Sequence, residues 1–412
     1  MTCNELEVCM KRVALAVIFC LMLGSSALAQ SNFPAMNVVD EVADSVVSID
    51  VNRVVYGSTL GMNAYTHTRL STTYQTGFVY TENGYIVTDS RNIEDASILT
   101  VWLNDGTELE AEFVGMDEEY GVGVIKVETE EPLKPVKVIE GRYDPIEDYY
   151  PYDQGDAVVA VGYSGGLGGT VTSGVISSIR NFRNRNEILL PHVIQSDVAI
   201  NAGNEGCPLF NEQGKVIGMH DLREAGMQNT TFFTPVWLIT RVADELIEIY
   251  ETGSEEEVWH PWLGVKPFAG SISLTRGTYR EVGDDLKMYM DIPDQYWDVG
   301  VLIDAVWMES PAREFGLLDH DMILDVTVLH VDLETGEEVV KIPYRLIKSV
   351  EELEIMVTTA EDGDVFLFGI LRNYSYFNLE IEIGQHPGAF TYLSPTSGAQ
   401  FTPDLEMSSE YF

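Results

Sequence analysis

From Val38 to about Thr240 the chain shows short runs of β-branched residues that are interrupted by glycine, asparagine and aspartate. Examples are Val46–Ile49, Gly84–Val87 and Ala157–Val161. Runs of this kind, with no long helical period between them, are typical of an all-β barrel or sandwich. Asn104–Gly106 adds a strong hairpin signal. A helical spacing of apolar residues follows at Val242–Ile249.

The length and the charge of the chain limit its function classes. With 412 residues it is long for a single core and sufficient for two domains. The 66 acidic and 24 basic residues give a formal net charge of -42. Such a surface repels phosphate backbones, so we expect no nucleic-acid binding. The charge fits both a heavily solvated surface and a saline habitat.

Residues 1–29 have the pattern of a secretory signal peptide. Lys11 and Arg12 precede the apolar run Val13–Leu23, and Ala27–Ala29 supplies small residues for cleavage. The apolar run is short for a membrane span. We therefore expect an exported, periplasmic or extracytoplasmic protein with no stable membrane insertion.

Cysteine usage also points to a chain without disulfides. Cys3, Cys9 and Cys20 lie in the signal region, so the mature protein keeps only Cys207 and forms no internal disulfide. A lipoprotein anchored at Cys20 is a weaker alternative because the bulky Phe19 precedes it, and an uncleaved anchor is weaker still.

Three segments resemble, in the right order, the HtrA/Deg family of trypsin-like serine proteases. Gly77–Thr88 resembles the strands that lead to the family's catalytic histidine. Leu167–Gly174 is a long and specific match, and Asp197–Leu209 resembles the nucleophile segment. The resemblance implies a mainly β fold, a trypsin-like double β-barrel with the active site in the cleft between the barrels.

The catalytic positions of the family are all changed in this chain. A serine attacks, a histidine takes its proton, and an aspartate orients the histidine. The matching positions hold Glu205, Arg91 and Gly121. Arginine stays protonated and cannot act as a general base, and glycine has no carboxylate. Glu205 would bring a negative charge to the former oxyanion loop of Gly203, Asn204 and Glu205. The resemblance thus predicts a pseudoprotease without catalytic residues.

Further expectations concern the same cleft. Opposite charges at Arg91 and Glu205 predict an ion pair across the former active site; the alternative is that both point to water. Cys207 is interpreted as a buried structural residue, and catalysis through its thiol is the alternative. No short-spaced ligand pair such as HExxH is present, so we expect no metal and no cofactor. The histidines of this region are interpreted as surface or core residues: His67, His192 and His220.

A second resemblance follows the double barrel. Trp262, Leu263, Gly264 and Val265 resemble the carboxylate-binding loop of an HtrA-type PDZ domain, and Ser310–Leu317 resembles its helix. A PDZ groove adds an extended peptide as a strand and captures the terminal carboxylate with loop N–H groups. The resemblance implies a small α+β barrel whose ligands are C-terminal or unfolded peptides. His320–Asp321 and the expanded turn Asp332–Arg345 depart from the family pattern.

These matches predict a domain order: signal peptide 1–29, trypsin-like pseudoprotease domain 30–254, PDZ domain 255–386 and flexible tail 387–412. Family members form trimers through their N-terminal segments, here around Phe33–Val38, which predicts a homotrimer or a mixed oligomer with an active relative. Core packing is the alternative for that segment. The end of the chain, Ser409–Phe412, resembles a ligand for the chain's own groove, or it is a loose terminus.

The sequence therefore predicts a non-catalytic protein that binds peptides or misfolded chains in the bacterial cell envelope, as a scaffold or a regulator of protein quality control. Two alternatives stay open. One is an active endopeptidase of the serine-protease family that works through Cys207. The other is a structural envelope protein whose PDZ groove is vestigial.

Overall fold

The computed structural model describes residues 34–58, 66–91, 93–140, 150–164, 169–183, 189–220, 229–254, 256–267, 299–333, 335–373, 375–386 and 391–393. The predicted signal peptide, Phe33, Leu167–Gly168 and the last residues of the chain lie outside these ranges. Among the described residues, no helix combines the length and the apolarity that crossing a bilayer requires.

Six antiparallel strands form the first barrel, which closes because β5 pairs with both β4 and β6. Side chains alternate across each strand, and the inward-facing Ile49, Val51 and Ile125 are fully buried. The predicted hairpin turn joins β4 to β5, with Gly106 at φ +88°. The strands are β1 Val46–Ser58, β2 Thr66–Val79, β3 Tyr85–Asp89, β4 Ile98–Trp102, β5 Glu108–Asp117 and β6 Val122–Val127.

A second barrel closes through the pairing of β11 with β12, and the short β7 adds to β12 in parallel. Together the two barrels confirm the mainly β, double-barrel fold predicted from the sequence. The strands are β7 Lys137–Val138, β8 Ala157–Gly162, β9 Thr170–Arg183, β10 Leu189–Ser196, β11 Pro208–Asn211, β12 Lys215–His220 and β13 Thr231–Pro235.

Two helices flank the barrels. Helix α1 (Pro34–Val42) buries Val38 in a cluster with Phe210 and Val236, so this valine belongs to the core of its own chain. Helix α2 (Val236–Thr252) extends the predicted helix at both ends and packs its apolar face against the first barrel. It ends where Gly253, at φ +63°, donates its N–H to the carbonyl of Ile249.

The rest of the chain forms a mixed unit with its own core, which includes Leu263, Ile303, Phe366 and Phe368. A serine caps each of its helices: Ser310 and Ser349 accept the N–H three residues later at 3.1 Å. The elements are β14 Pro261–Trp262, β15 Val265–Pro267, β16 Val301–Val306, α3 Pro311–Glu314, β17 Met322–Val331, β18 Glu338–Leu346, α4 Val350–Thr358, β19 Asp364–Arg372, β20 Ser375–Glu382 and β21 Gly384–Gln385.

Part of the predicted tail is a strand. β22 (Thr391–Leu393) pairs antiparallel with the end of β5, with Tyr392 opposite Met116. β5 pairs with β4 only at residues 108–111, so its later backbone groups present an edge that a further strand can satisfy. At these three residues the structure differs from the expected flexible tail.

Candidate functional site

A cavity of about 430 Å³ lies at the end of β3 and β5, at the place predicted for the former active site. It contains both Arg91 and Glu205, so the fold brings together two positions that are 114 residues apart (205 − 91). Its lining residues are Arg53, Ser90, Arg91, Glu94, Asp95, Met116, Glu118 and Glu205.

Arg91 pairs with Asp89, the last residue of β3. The guanidinium donates to both carboxylate oxygens, from Nε to Oδ1 at 2.9 Å and from Nη2 to Oδ2 at 2.6 Å. Asp89 is fully buried. A buried carboxylate is costly without a partner, and a bidentate arginine two residues away is a strong local one.

Glu205 takes a different partner. Its Oε2 accepts the backbone N–H of Gly203 at 2.5 Å. No Arg91–Glu205 ion pair forms between these two described residues, and the predicted pair is wrong. The reason is that each charge has a nearer partner, one in a side chain and one in the backbone.

The turn at Gly203–Glu205 is held from below. The N–H of Thr76 donates to the carbonyl of Glu205 at 2.8 Å, and the hydroxyl of Thr76 donates to the carbonyl of Gly203 at 2.8 Å. Gly203 has φ +96°, a backbone conformation that favours glycine. The carboxylate of Glu205 therefore lies on a backbone N–H of the same turn.

Gly121 lies beside the strand that leads to Arg91. Its carbonyl accepts the N–H of Ser90 at 3.2 Å, and its φ is +72°. The position is thus close enough to orient a side chain at 91, but it offers only backbone atoms. Neighbouring Asp117 and Glu119 do supply carboxylates, and both face another residue, His260.

Cys207 is fully buried, which confirms its interpretation as a core residue. Burial, together with the carboxylate of Glu205, raises the pKa of its thiol far above the ordinary value, so the thiolate is disfavoured. Burial also lowers the pKa of His220, whose N–H bonds to the carbonyl of Cys207, and the pKa of His192, each to about 4. Both histidines are neutral at pH 7, as core residues.

The connector after α2 contains a buried charge cluster that the sequence does not reveal. His260 places Nε2 at 2.5 Å from Oδ2 of Asp117 and Nδ1 at 2.7 Å from Oε2 of Glu119. Its ring stacks on Tyr120 at 4.7 Å. Burial opposes the charge, but the two carboxylates outweigh it and raise the pKa of His260 to about 9. The connector is therefore fixed to the turn that leads to Gly121.

The second candidate site is the loop Trp262–Val265. The carbonyl of Leu263 accepts the N–H of Ala312 at 3.0 Å, and the carbonyl of Gly264 accepts that of Trp307 at 3.1 Å. Gly264 has φ +75°, and a Cβ there would lie 2.1 Å from the Cβ of Ser310. Only glycine fits this turn.

Among the described residues, no side-chain carboxylate accepts a hydrogen bond from the N–H of Leu263 or Gly264. Val265 enters β15 and pairs with Val306 of β16.

Helix α4 contacts the second barrel through Glu351, which accepts from Asn181 at 2.8 Å, and through the ion pair of Glu354 with Arg183.

Comparison with known proteins finds homologues of this chain. Residues 75–219, which include all three changed positions, match the trypsin-like peptidase domain. The chain is 29% identical over 398 residues to a DegP-like periplasmic serine endoprotease of Halomonas elongata, covering 89% of this chain and 74% of that protein. Identity is 37% over 339 residues with a DegP-like protein of Rhizobium meliloti, covering 81% of this chain and 57% of that one. This chain is a homologue of the DegP/HtrA serine endoproteases.

Solved structures agree with this assignment. The HtrA-type protease AlgW with a bound tripeptide is 25% identical, with a TM-score of 0.59 and coverage of 86% of this chain and 97% of that one. AlgW with a decapeptide gives 23% identity and a TM-score of 0.60, covering 86% and 99%. The chain spans little more than half of the Rhizobium relative, so activity and partners do not follow from these matches.

This HtrA homologue also contains one group of potential cation ligands among its described residues: His330, Glu361 and Asp364. The ammonium of Lys341 lies 2.6 Å from Asp364 and 3.2 Å from Glu361. The lysine already supplies the positive charge that these carboxylates require. His330 lies far in sequence from Glu361 and Asp364, so no short spacing pattern predicts the group.

Sequence reasoning missed several residues of the cavity in this HtrA homologue. Asp89 lies two residues before Arg91, at a position where the HtrA pattern has asparagine. This close spacing of opposite charges was the sequence feature that could have predicted the Asp89–Arg91 ion pair. Glu94, Asp95 and Glu118 line the cavity from two separate turns. Acidic residues are common throughout this chain, so their convergence is visible only in three dimensions.

Proposed function

We propose that this chain is a non-catalytic, HtrA-like protein that binds C-terminal or unfolded polypeptides in the cell envelope. The observation that carries the proposal is the hydrogen bond from the N–H of Gly203 to the carboxylate of Glu205. An oxyanion hole works because its N–H groups are aimed at the position where negative charge develops on the substrate. Here an anion of the chain itself takes the N–H.

The other former catalytic positions support the same proposal. Arg91 is protonated at any physiological pH and is held by Asp89. Gly121 has no side chain that could orient a base. The thiol of Cys207 is buried with a raised pKa, which argues against a replacement nucleophile. We assign Arg91, Gly121 and Glu205 as degenerate triad positions and Gly203, Asn204 and Glu205 as the former oxyanion loop.

Peptide binding is assigned to the loop of Trp262, Leu263, Gly264 and Val265. Its strained turn and its open N–H groups suit the capture of a terminal carboxylate. Related HtrA-type structures carry a tripeptide or a decapeptide, which supports this ligand class. We further propose the pseudoprotease domain at 30–254, the PDZ domain at 255–386 and export through the signal at 1–29.

Two assays test the proposal on purified residues 30–412. The first measures binding of a labelled peptide with a free apolar C-terminus by fluorescence anisotropy, with the amidated peptide as control. Binding that requires the free carboxylate supports PDZ capture, and equal binding of both peptides contradicts it. The second follows digestion of casein, for which we expect no cleavage above the background of a matched preparation.

An active endopeptidase is the competing function, because the relatives of this chain are named serine endoproteases. It predicts casein cleavage that disappears in Cys207→Ala. A mixed oligomer with an active relative is a further proposal, and gel filtration with light scattering measures the oligomeric state of the isolated chain. Binding of the groove to the chain's own end, Ser409–Phe412, stays a prediction, because these residues lie outside the described ones.

A further inference from the structure

The cavity that holds Arg91 and Glu205 has a layered construction. Ser90 and Met116 are buried at its base, whereas Glu94, Asp95 and Glu118 are exposed at its rim. A volume of about 430 Å³ exceeds the space of a single ion and accommodates a long side chain.

The charge of this cavity is unbalanced. The guanidinium of Arg91 is neutralised by the buried Asp89. The lining then keeps four other carboxylates, those of Glu94, Asp95, Glu118 and Glu205. The only other cation in the lining is the guanidinium of Arg53, which makes no ion pair within the described part of the chain. The pKa of Glu94 is raised by partial burial and by the neighbouring Asp95 and Glu118. Mutual repulsion of these carboxylates favours a positively charged occupant.

A buried acceptor lies next to the same wall. Gln75 is 1% exposed, and its amide nitrogen donates to the carbonyl of Arg91. The next residue, Thr76, bonds to the backbone of Glu205, so both Gln75 and its neighbour contact lining residues without lining the cavity themselves. Its Oε1 has no hydrogen-bond partner among the described residues. Buried acceptors of this kind are uncommon and are satisfied by a donor.

A metal ion does not fit these residues. Ligand atoms of a cation site must converge within a few ångströms. Among the described residues, the carboxylates of the cavity do not form such a group, whereas His330, Glu361 and Asp364 do. The cavity therefore suits an extended organic cation with several N–H donors. A guanidinium matches carboxylates in bidentate geometry and is more weakly hydrated than an ammonium.

We propose that the former active-site cavity is a second polypeptide-binding site, which takes an arginine side chain of a bound chain. This inference rests on the proposed non-catalytic role, because an active protease would cleave the polypeptide instead of retaining it. Glu94 and Glu118 face the guanidinium from the rim, and Glu205 faces it from the loop side. Arg53 opposes the cation and limits its affinity.

The test uses two short, unstructured peptides with acetylated and amidated ends, identical except that one has a central arginine and the other citrulline. The amidated end removes the carboxylate required by the PDZ loop, so failure of PDZ capture and failure of the cavity are distinguishable. Binding to residues 30–412 is measured by anisotropy at about 50 mM salt, where charge contacts are only partly screened. We expect the arginine peptide to bind about tenfold more tightly than the citrulline peptide.

Variants assign the effect to the cavity. Glu94→Gln with Glu118→Gln should abolish the preference for arginine. The matched control, Glu128→Gln with Glu140→Gln, removes the same charge from exposed positions outside the cavity and should retain it. Arg53→Gln should tighten binding of the arginine peptide. Equal binding of the two peptides, or an equal loss in both double variants, would overturn the proposal, because the acidic surface as a whole would then explain any attraction.

Discussion

Two turns of this protein are built alike and filled differently. Gly203 and Gly264 both have a positive φ, +96° and +75°, and each lies in a loop that the sequence assigns to a candidate site. In the first turn the chain supplies the anion, the carboxylate of Glu205. In the second turn, no described carboxylate occupies the N–H groups of Leu263 or Gly264. In the proposed function, the first turn is closed by this internal anion and the second is open to a ligand.

The proposed function therefore separates the loss of catalysis from the retention of binding within one fold. The backbone of a nucleophile turn survives because Thr76 and Gly206 pack tightly beneath it; a Cβ at Gly206 would lie 2.4 Å from the carbonyl of Thr76. A side chain at the apex, such as Glu205, is free to change because it faces the cleft. The chemistry of the turn can therefore disappear while its shape persists.

The largest expected effect is on stability, and it concerns His260 in the connector between the two turns. His260→Gln removes the positive partner of the buried Asp117 and Glu119. We expect a loss of about 3–5 kcal/mol in the free energy of unfolding at pH 7, measured by urea denaturation. His330→Gln, a half-exposed histidine beside Asp364, is the control and should cost far less. Equal losses in the two variants would contradict the buried clamp.

The same connector predicts a pH dependence. The pKa of His260 is about 9 in the folded chain and about 6.5 when unfolded. Its contribution is complete below pH 6.5 and is lost as the pH rises through about 9, since the unfolded state releases the proton first. The stability difference between the wild type and His260→Gln should shrink by roughly 3 kcal/mol over this interval. A difference that is constant with pH would exclude a charged histidine.

The open turn should be sensitive to any side chain. Gly264→Ala places a methyl group against Ser310 at a positive φ, so we expect at least about a hundredfold loss of affinity for a free C-terminal peptide, or about 2.7 kcal/mol. Gly336→Ala also has a positive φ, +69°, but meets nothing within 4 Å and should leave binding unchanged. Anisotropy titrations compare the two. Retained binding in Gly264→Ala would move the carboxylate site elsewhere.

The closed turn should be stabilised by its own anion. Glu205→Gln weakens the charge-assisted bond from Gly203, and we expect a loss of about 1–2 kcal/mol in unfolding free energy. Glu212→Gln changes the same charge at an exposed position of the next turn and serves as the control. Thermal unfolding of both proteins measures the difference. A more stable Glu205→Gln would mean that repulsion inside the cavity outweighs the bond to the backbone.

The smallest expected effect is a null result in catalysis. Glu205→Ser restores a hydroxyl at the apex of the closed turn, but Arg91 and Gly121 still provide neither a base nor its orienting carboxylate. We therefore expect no casein cleavage by this variant, followed by fluorescence of a labelled substrate. Restored turnover would show that the turn lacks only its nucleophile. The side chain at position 205 would then be the one difference that prevents catalysis.

Much of the fold was accessible from local patterns. β-branched runs at Val46–Ile49 and Ala157–Val161 became β1 and β8, and the helical spacing at Val242–Ile249 became the middle of α2. The site was accessible only in part. Arg91 and Glu205 do line the same cavity, but their predicted ion pair is wrong. A family resemblance predicts that two positions are close in the fold, and it does not predict which partner each side chain binds.

The sequence by itself determined the β-rich double barrel, the residue types at positions 91, 121 and 205 and the glycine at position 264, because strand periodicity, residue identity and a positive φ are local properties. Tertiary structure decided which charges meet. Arg91 forms an ion pair with Asp89, and Glu205 accepts a hydrogen bond from a backbone N–H. His260 pairs with two carboxylates of a turn that is distant in sequence. Charge pairing depends on ångström distances and on burial, which only the packed chain fixes.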